Sequence, residues 1–352
     1  MSLLDNLTLL PDLLRLPEGR RATATDWPSL RAAWSSLVLP LQYGHLPPAP
    51  AHVMVQPLHR YDLFPEDGVN IQHFRITMDG KCSFLCELML PPGAGPFPVV
   101  VDGDGCWRYL TNDILSAAAR RGYGVAFFNR TEIVPDVYSD ARDAGLYLDY
   151  PDGDFGALAA WAWGYHRVLD ALETIPRVDA QRFVVTGHSR GGKAALLAGA
   201  TDPRVAVTAP NNSGCGGAGS YYFPDVGGER LEDIVATLTY WFTPRLRDFY
   251  RRARELPFDQ HCLKALVAPR ALLTTEALDD HWASPRGTYL TFTAARAVYR
   301  LLDVDARLGI AYRPGGHAHT LEDWHTLFDF ADAQWSGTPS TRDFTVNPWE
   351  DE

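Results

Sequence analysis

The fold of this chain is decided by one short stretch, Gly187-His188-Ser189-Arg190-Gly191. An apolar run at 182–186 precedes it, and a run rich in alanine and leucine at 193–198 follows it. This order predicts a strand, a tight turn with Ser189 at its apex, and a helix. Such a G-x-S-x-G turn presents its serine as a nucleophile, because the glycines tolerate a strained backbone and the helix N-terminus favours negative charge beside the hydroxyl.

A serine becomes nucleophilic only with a base and an acid beside it, and candidates for both follow in the chain. One buried-strand pattern leads into Asp280, and a later one leads into Gly315-Gly316-His317. The order Ser, Asp, His is that of the α/β-hydrolase fold. We therefore predict a catalytic triad of Ser189, Asp280 and His317.

Two of these three positions have a neighbour that stays open as an alternative. Asp280 directly precedes His281-Trp282, as the acid of dienelactone-hydrolase-like chains precedes a similar pair, and Asp279 is the alternative acid. Either aspartate could instead cap a helix or a turn. His317 follows a glycine pair that suits a sharp turn, and His319 is the second candidate base.

Other kinds of catalytic centre are weaker interpretations. Residues 317–325 hold three histidines and two carboxylates, but neither H-E-x-x-H nor a cysteine pair occurs. A threonine followed by two acidic residues in this segment is typical of a helix start. We expect no metal and no cofactor. Cys106 and Cys215 fall in loops near the predicted site without the elbow context, so a cysteine nucleophile is a third choice.

A second glycine-containing loop is the candidate for completing an oxyanion hole. The strand pattern at 97–101 runs into Asp102-Gly103-Asp104-Gly105-Cys106-Trp107. In hydrolases of this class one backbone donor comes from the corresponding loop. We expect the N–H of Cys106 or Trp107 to be that donor, and an ordinary tight turn is the alternative.

Strand patterns that alternate with helical patterns indicate an α/β protein, with a mostly parallel twisted sheet and helices on both faces. Residues 1–67 are expected to form an arm packed on the body. Residues 68–352 are expected to form a single α/β-hydrolase domain, which opens with an antiparallel pair at 69–76 and 83–90. An aromatic-rich insertion occupies about 212–266, after the sixth strand.

The aromatic residues of the insertion suit either the face of a sugar ring or the small core of a roof over the active site. Trp241 and His261 are candidate substrate contacts there, as is Trp107 in the predicted oxyanion loop. Residues 214–219 match G-x-G-x-x-G by letter. No helix pattern and no well-placed acidic residue follow, so a dinucleotide site is not expected.

Composition limits the partners. With 46% hydrophobic residues among 352, the chain can bury a large core. Its net charge of −11, with scattered Lys and Arg, argues against a nucleic-acid partner. The longest apolar runs have the length of strands, so no membrane span is expected. The first residues lack a basic region and a continuous apolar run, so we expect a cytoplasmic protein. The oligomeric state is open.

Two stretches carry a family resemblance, namely 187–195, with its Ser-Arg-Gly-Gly-Lys run, and 210–217. They resemble the glucuronoyl esterases, carbohydrate esterase family 15, and their bacterial relatives. The resemblance implies hydrolysis of glucuronic acid esters, with Arg190 helping the oxyanion, Lys193 binding sugar hydroxyls and Trp282 contacting the substrate. It extends through 256–261, 265–270 and 282–285.

The chemistry of two of these side chains favours the same roles. Arg190 directly follows the nucleophile and places a cation where negative charge builds on the carbonyl oxygen. Lys193 lies one helical turn beyond Ser189 on the same face. Structural ion pairs are the alternative for both side chains.

One position departs from the family pattern. The best-known members carry a glutamate after the sixth strand, in a Pro-Gln-Glu-Ser-Gly setting, and the matching residue here is Asn212. An amide cannot stabilise an imidazolium by charge, so Asp280 is expected to replace it. This shift also leaves the preference for glucuronate esters open.

We therefore expect a serine esterase that acts on a glucuronate-type or other carbohydrate ester through an acyl-enzyme. An acetyl esterase or lactonase acting on a small intracellular metabolite is the alternative. A non-catalytic binding protein that kept the fold is the second alternative, although the complete triad argues against it.

Overall fold

The computed structural model describes residues 3–337 and 340–350, and one sheet organises them. Its strands are β1 Val53–Phe64, β2 Val69–Met78, β3 Ser83–Leu90, β4 Phe97–Asp102, β5 Gly124–Phe128, β6 Val178–His188, β7 Val205–Asn211, β8 Ala271–Ala277 and β9 Leu308–Arg313. They lie in the order β1-β2-β3-β5-β4-β6-β7-β8-β9. β1, β2, β3 and β5 pair antiparallel, and from β5 onward all neighbours are parallel. The predicted mostly parallel sheet is confirmed.

Helices cover both faces of the sheet. They are α1 Trp27–Gln42, α2 Asn112–Arg120, α3 Leu146–Asp149, α4 Ala157–Leu172, α5 Arg190–Thr201, α6 Leu231–Thr237, α7 Gln260–Ala265, α8 Pro285–Leu301 and α9 Leu321–Ser336. One core holds the buried faces of α1, α4, α5, α7 and α8, and the other holds α2 and α9. Among the described helices, none is long and apolar enough to cross a bilayer.

The central strands serve both cores at once. In β4, Val99 and Val101 belong to one core and Val100 to the other, and all three are fully buried. Successive side chains of a strand point to opposite faces, so a strand covered on both sides reads as a continuous apolar run. This explains why the β4 pattern was readable from sequence.

Helix α4 is buried along its whole length except at Asp170. The chain before β1 covers its outer side: the Trp163 indole N–H donates to the Pro48 carbonyl at 3.0 Å, and Gly156 N–H donates to the Tyr43 carbonyl. The N-terminal residues therefore complete the core around α4.

The sheet has one strand more than the sequence patterns indicated. β1 lies within 1–67, the predicted arm, and pairs with β2. Most of its residues are exposed on both faces, so no apolar alternation marks it, and Pro57 suits its place at the sheet edge. The division of the chain at residue 67 stays a prediction.

Candidate active site

Ser189 lies at the apex of the turn between β6 and α5, with φ of 54° and ψ of −122°. This backbone region is strained for a residue with a Cβ. The glycines on either side of it are required because a side chain there would clash. A Cβ on Gly187 would lie 2.6 Å from the Gly191 carbonyl, and one on Gly191 would overlap the Asp104 carboxylate. The turn thus places Ser189 at the carboxyl edge of the sheet and at the N-terminus of α5.

His317 and Asp280 come together from the loops after β9 and β8. Nδ1 of His317 and Oδ2 of Asp280 are 2.6 Å apart. Asp280 is buried, and its Oδ1 accepts from the Ala283 N–H at 3.3 Å. A carboxylate at Nδ1 leaves Nε2 as the basic nitrogen of the imidazole, which is the arrangement that a triad requires.

Ser189 and His317 line the same cavity, whose volume is about 680 Å³. Within the part of the chain that the structure describes, the Ser189 hydroxyl makes no hydrogen bond. The hydrogen bond between a catalytic serine and its histidine is often long in enzymes without substrate, and it tightens when substrate binds. The three predicted triad residues therefore share one site, with the Asp280–His317 contact formed.

The structure separates Asp280 from its neighbour Asp279. The Asp279 carboxylate accepts from the Gly315 N–H at 2.9 Å, and the Asp279 N–H donates to the Gly315 carbonyl at 3.1 Å. Asp279 therefore ties the acid loop to the histidine loop, which leaves the position beside His317 to Asp280.

His319, the second candidate base, lies away from the cavity. Its ring is buried and stacks on Trp324, with centroids 5.4 Å apart. Burial holds the pKa of His319 well below its usual range, and His188 and Arg313 add to this effect. Because His319 is buried and does not line the cavity, its ring lacks the access to substrate that a general base needs.

Asn212 follows β7 and joins the two loops that carry Asp280 and His317. Its Oδ1 accepts from the Ala277 N–H at 2.7 Å, and its Nδ2 donates to the Ala318 carbonyl at 3.0 Å. The side chain at this position therefore aligns the acid and histidine loops by neutral hydrogen bonds.

A largely covered carboxylate, that of Asp136, holds the guanidinium of Arg190 at the cavity. Arg190 Nη1 lies 3.0 Å and 3.2 Å from the two carboxylate oxygens of Asp136. Asp136 also accepts from the Tyr240 hydroxyl and lies 3.5 Å from Arg130. Arg190 itself lines the cavity. A cation held in this way needs little reorganisation to stabilise an oxyanion.

The loop after β4 leaves one of its two expected backbone donors available. The Trp107 N–H donates to the Asp104 carbonyl at 2.8 Å, which leaves the N–H of Cys106 as the candidate donor. The Trp107 ring packs on the Arg130 guanidinium at 4.2 Å and does not line the cavity. Trp107 also packs against the Arg190 guanidinium at 5.6 Å, so it supports the two arginines from outside the cavity lining, which argues against the expected contact with substrate.

Lys193 lies in the cavity wall as half of an ion pair. Its Nζ is 2.8 Å from Glu229 Oε2 and donates to the Cys215 carbonyl. The two charged side chains are only 3% and 8% exposed, and both line the cavity. Glu229 was not predicted, because it stands in the insertion outside any motif. The one indication in the sequence was indirect: if Lys193 is buried, its charge requires an acidic partner.

Trp241 and Trp282, two predicted substrate contacts, line the cavity. Trp241 is buried, with its ring 5.3 Å from Lys193 Nζ. Trp282 is 53% exposed at the mouth. Tyr138 and Tyr250, which were not predicted, are also exposed there and line the same cavity. The cavity thus has a charged wall and an aromatic rim.

His261 is a correction to the predicted set. It lies on α7, fully buried, with Nε2 2.9 Å from the Pro11 carbonyl, and it does not line the cavity. The contact with Pro11 places His261 beneath the N-terminal residues. It therefore has a packing role and is not exposed to a substrate in the cavity.

The cysteines near the site are poorly suited as nucleophiles. Burial raises the pKa of the Cys106 thiol to about 11 and that of Cys215 well above its usual range. Across residues 3–337 and 340–350, no group of three or more His, Cys, Asp or Glu side chains could hold a metal ion.

Known proteins resemble this chain along most of its length. The family model described as glucuronyl esterase, fungi, matches residues 75–303. The 4-O-methyl-glucuronoyl methylesterase 1 of Wolfiporia cocos is 33% identical over 344 residues, which cover 92% of this chain and 80% of that protein.

Solved structures show the same relationship. A glucuronoyl esterase of carbohydrate esterase family 15 from Caldicellulosiruptor kristjansonii superposes with a TM-score of 0.83 at 34% identity, covering 97% of this chain and 94% of its own. A promiscuous esterase of that family from a marine bacterial metagenome gives 0.80 at 28% identity, covering 92% and 96%.

These comparisons overturn the expectation of a cytoplasmic enzyme. The chain matches 4-O-methyl-glucuronoyl methylesterases of fungi and glucuronoyl esterases of bacteria, and a cytoplasmic location does not fit members of this family. The expectation rested on the first residues of the printed sequence, which are no guide to the compartment.

The family match covers well over half of the chain, and the fold, the elbow serine and the carbohydrate-esterase relatives agree with it. The chain belongs to the glucuronoyl esterases, carbohydrate esterase family 15, and is a serine carboxylic-ester hydrolase that acts on carbohydrate esters.

Proposed function

We propose that this enzyme hydrolyses an ester of glucuronic acid, with Ser189, His317 and Asp280 as its triad. The observation that carries the proposal is the buried Lys193–Glu229 pair in the wall of the cavity that Ser189 and His317 line. An ammonium and a carboxylate side by side offer a donor and an acceptor to neighbouring sugar hydroxyls. The indole of Trp241 adds an apolar surface for the ring. The name of the Wolfiporia relative supports the same acid.

The first half of the reaction forms the acyl-enzyme. His317 takes the proton of the Ser189 hydroxyl as the oxygen attacks the ester carbonyl carbon, and Asp280 stabilises the imidazolium through Nδ1. The carbonyl oxygen gains negative charge beside the Arg190 guanidinium and the backbone N–H groups that open α5. The intermediate then collapses: the bond from carbonyl carbon to alkoxy oxygen breaks, and the alcohol leaves with the proton from His317.

The second half releases the acid. Water enters where the alcohol stood, loses its proton to His317 and attacks the acyl carbon. Collapse of the second intermediate breaks the bond to Ser189 Oγ, which recovers its proton from the imidazolium. Glucuronate leaves as the free acid, and the triad returns to its starting state.

A second candidate is an esterase of broader range that also cleaves acetyl esters or lactones. The marine metagenome relative is described as promiscuous, and three exposed aromatic side chains, Tyr138, Tyr250 and Trp282, line this cavity without enclosing it. Both candidates use the same triad, so substrate comparison is needed to distinguish them.

The sharpest test compares two esters with the same leaving group. Benzyl glucuronate and benzyl cyclohexanecarboxylate share the benzyl ester and the six-membered ring, and they differ in the ring oxygen and hydroxyls that Lys193 and Glu229 would bind. We expect kcat/KM to be higher for the glucuronate ester by about two orders of magnitude or more. 4-Nitrophenyl acetate serves as the third substrate.

Ser189→Ala is the blank in this assay and should remove all turnover while leaving the circular dichroism spectrum unchanged. Equal kcat/KM for the two benzyl esters would contradict the glucuronate proposal. Turnover retained by the Ser189→Ala variant would contradict the triad.

A further inference from the structure

A column of aromatic rings stands behind His317. The Trp324 ring on α9 stacks on His319 at 5.4 Å, and His319 stacks on His188 at 6.1 Å. His188 then contacts His317, with ring centroids 4.3 Å apart at an angle of 49°. The ring closest to the base candidate thus belongs to the residue immediately before Ser189.

His188 is held at both its backbone and its ring. Its N–H donates to the Asp104 carboxylate at 2.6 Å, and its Nδ1 lies 2.6 Å from Asn211 Oδ1. Asn211 is itself held, since its Nδ2 donates to the Thr275 hydroxyl at 2.9 Å. Because Thr275 accepts that donor, Asn211 presents its oxygen to His188, and His188 Nδ1 carries the proton.

The remaining ring nitrogen of His188, Nε2, forms no hydrogen bond within the described part of the chain. This nitrogen is buried. A buried imidazole that neither lines the cavity nor uses Nε2 serves no step of the proposed reaction directly. What it does offer to His317 is a ring surface at van der Waals distance.

We propose that His188 is a positioning residue for the general base: its ring, fixed by Asn211 and backed by His319, holds the His317 imidazole in the orientation that serves Ser189. This inference rests on the proposed function only in that His317 is taken as the base. It is independent of which ester is hydrolysed.

The charge state of His188 suits this role. Burial lowers its pKa to about 4, and the neighbouring His317 contributes to that shift. A neutral ring beside His317 attracts the imidazolium that forms during the reaction, whereas a second cation would repel it. The titratable or charged groups facing His188 are His317, His319, Tyr109, Asp104, Asp280 and Arg313.

Two substitutions separate the ring from the hydrogen bond. His188→Phe keeps a ring in contact with His317 and loses the bond to Asn211. His188→Asn keeps a polar group for Asn211 and loses the ring. His325→Ala is the matched control, because His325 lies beside Trp324 on α9 and no ring contact joins it to the column.

Two assays should be run on each variant: steady-state kinetics on the best ester, which gives kcat and KM, and the rate at which a fluorophosphonate labels Ser189. For His188→Asn we expect both kcat and the labelling rate to fall by about 10- to 100-fold, with KM within about twofold, since small displacements of a base cost this much. His188→Phe should stay within about fivefold of wild type, and His325→Ala within about twofold.

The proposal is overturned if His188→Asn reacts as fast as wild type, or if His188→Phe is as slow as His188→Asn. The labelling arm needs no ester substrate. If wild-type enzyme fails to hydrolyse glucuronate esters, the proposed substrate falls, and labelling still decides the role of His188. Thermal melting of each variant identifies any loss of rate that comes from loss of folded protein.

Discussion

The two walls of the active-site cavity are built in different ways. On one wall, Ser189, Asp280 and His317 follow directly from the carboxyl ends of β6, β8 and β9. Asp279 and Asn212 tie the loops of this wall together through backbone hydrogen bonds. The wall is therefore an extension of the parallel sheet.

The other wall comes from the insertion between β7 and β8. It supplies Glu229, Trp241 and Tyr250, and its regular structure consists of the short helices α6 and α7 with 3-10 turns between them. Side chains hold this segment in place: the Asp259 carboxylate accepts from the Ser220 hydroxyl and the Tyr221 N–H. We infer that the sheet wall carries the chemistry and the insertion wall carries the selectivity.

The strongest test of the sheet wall is Asp280→Asn. An amide at this position favours the wrong tautomer of His317, and we expect kcat to fall by about 10⁴-fold with little change in KM. Steady-state kinetics on the preferred ester measures the effect. Asp279→Asn is the matched control: it should retain kcat within a few-fold and lose less than about 1 kcal/mol of unfolding free energy, because its amide oxygen can still accept from the Gly315 N–H. The reverse order of effects would assign the acid to Asp279.

The insertion wall is tested by Glu229→Gln, which keeps the shape and removes the charge. We expect kcat/KM on benzyl glucuronate to fall by about 100-fold, because a charged hydrogen-bonding pair facing the sugar is disrupted. Activity on 4-nitrophenyl acetate should stay within a few-fold. Glu232→Gln, in the same cavity and paired only loosely with Arg230, should change neither. An equal fall in kcat/KM on both esters would show that Glu229 affects the catalytic residues of the sheet wall and not the binding of the sugar.

A smaller effect is expected at the cavity mouth. Trp282→Ala removes an exposed indole that lines the cavity, so KM for the glucuronate ester should rise by about 5- to 10-fold with kcat nearly unchanged. Trp282→Phe, which retains an aromatic face, should stay within about twofold. A fall in kcat with constant KM would place Trp282 with the catalytic wall.

The smallest effect concerns the stability of the folded protein at acid pH, to which two buried histidines near the elbow helix contribute. Burial lowers the pKa of His166 and of His188 to about 4, whereas histidines of the unfolded chain titrate near 6.5. Between these values the unfolded chain binds protons that the folded chain does not, so stability is complete above this window and declines as pH falls through it. We expect Tm at pH 5 to lie about 5 °C below that at pH 7. His166→Gln should shrink this difference, and an unchanged difference would contradict the assignment.

Much of the catalytic wall was predictable because its signals are local. The glycines at 187 and 191 are needed by a turn of five residues, and the strand and helix around them show their own patterns. The order of Ser189, Asp280 and His317 follows from parallel strands that all end at one edge. β1 escaped prediction because its exposed residues carry no alternation.

The insertion wall was less predictable because its contacts are distant in sequence. Glu229 is part of the cavity wall because it pairs with Lys193, and His261 lies outside the cavity because it packs against Pro11. Trp107 was expected to touch substrate and instead packs on Arg130. The two residues of each of these pairs are far apart in the chain, and no sequence motif relates their positions.

Local sequence signals were enough to predict the elbow, the chain order of the proposed triad residues and the α/β class, since each depends on short-range sterics and on the period of apolar residues. Tertiary packing was needed to show that Asp280 lies beside His317 while Asp279 contacts Gly315, that Asn212 lies between two loops, and that Glu229 pairs with Lys193. Those outcomes depend on which backbone groups from remote loops arrive within hydrogen-bond distance, and only packing of the whole sheet sets that arrangement.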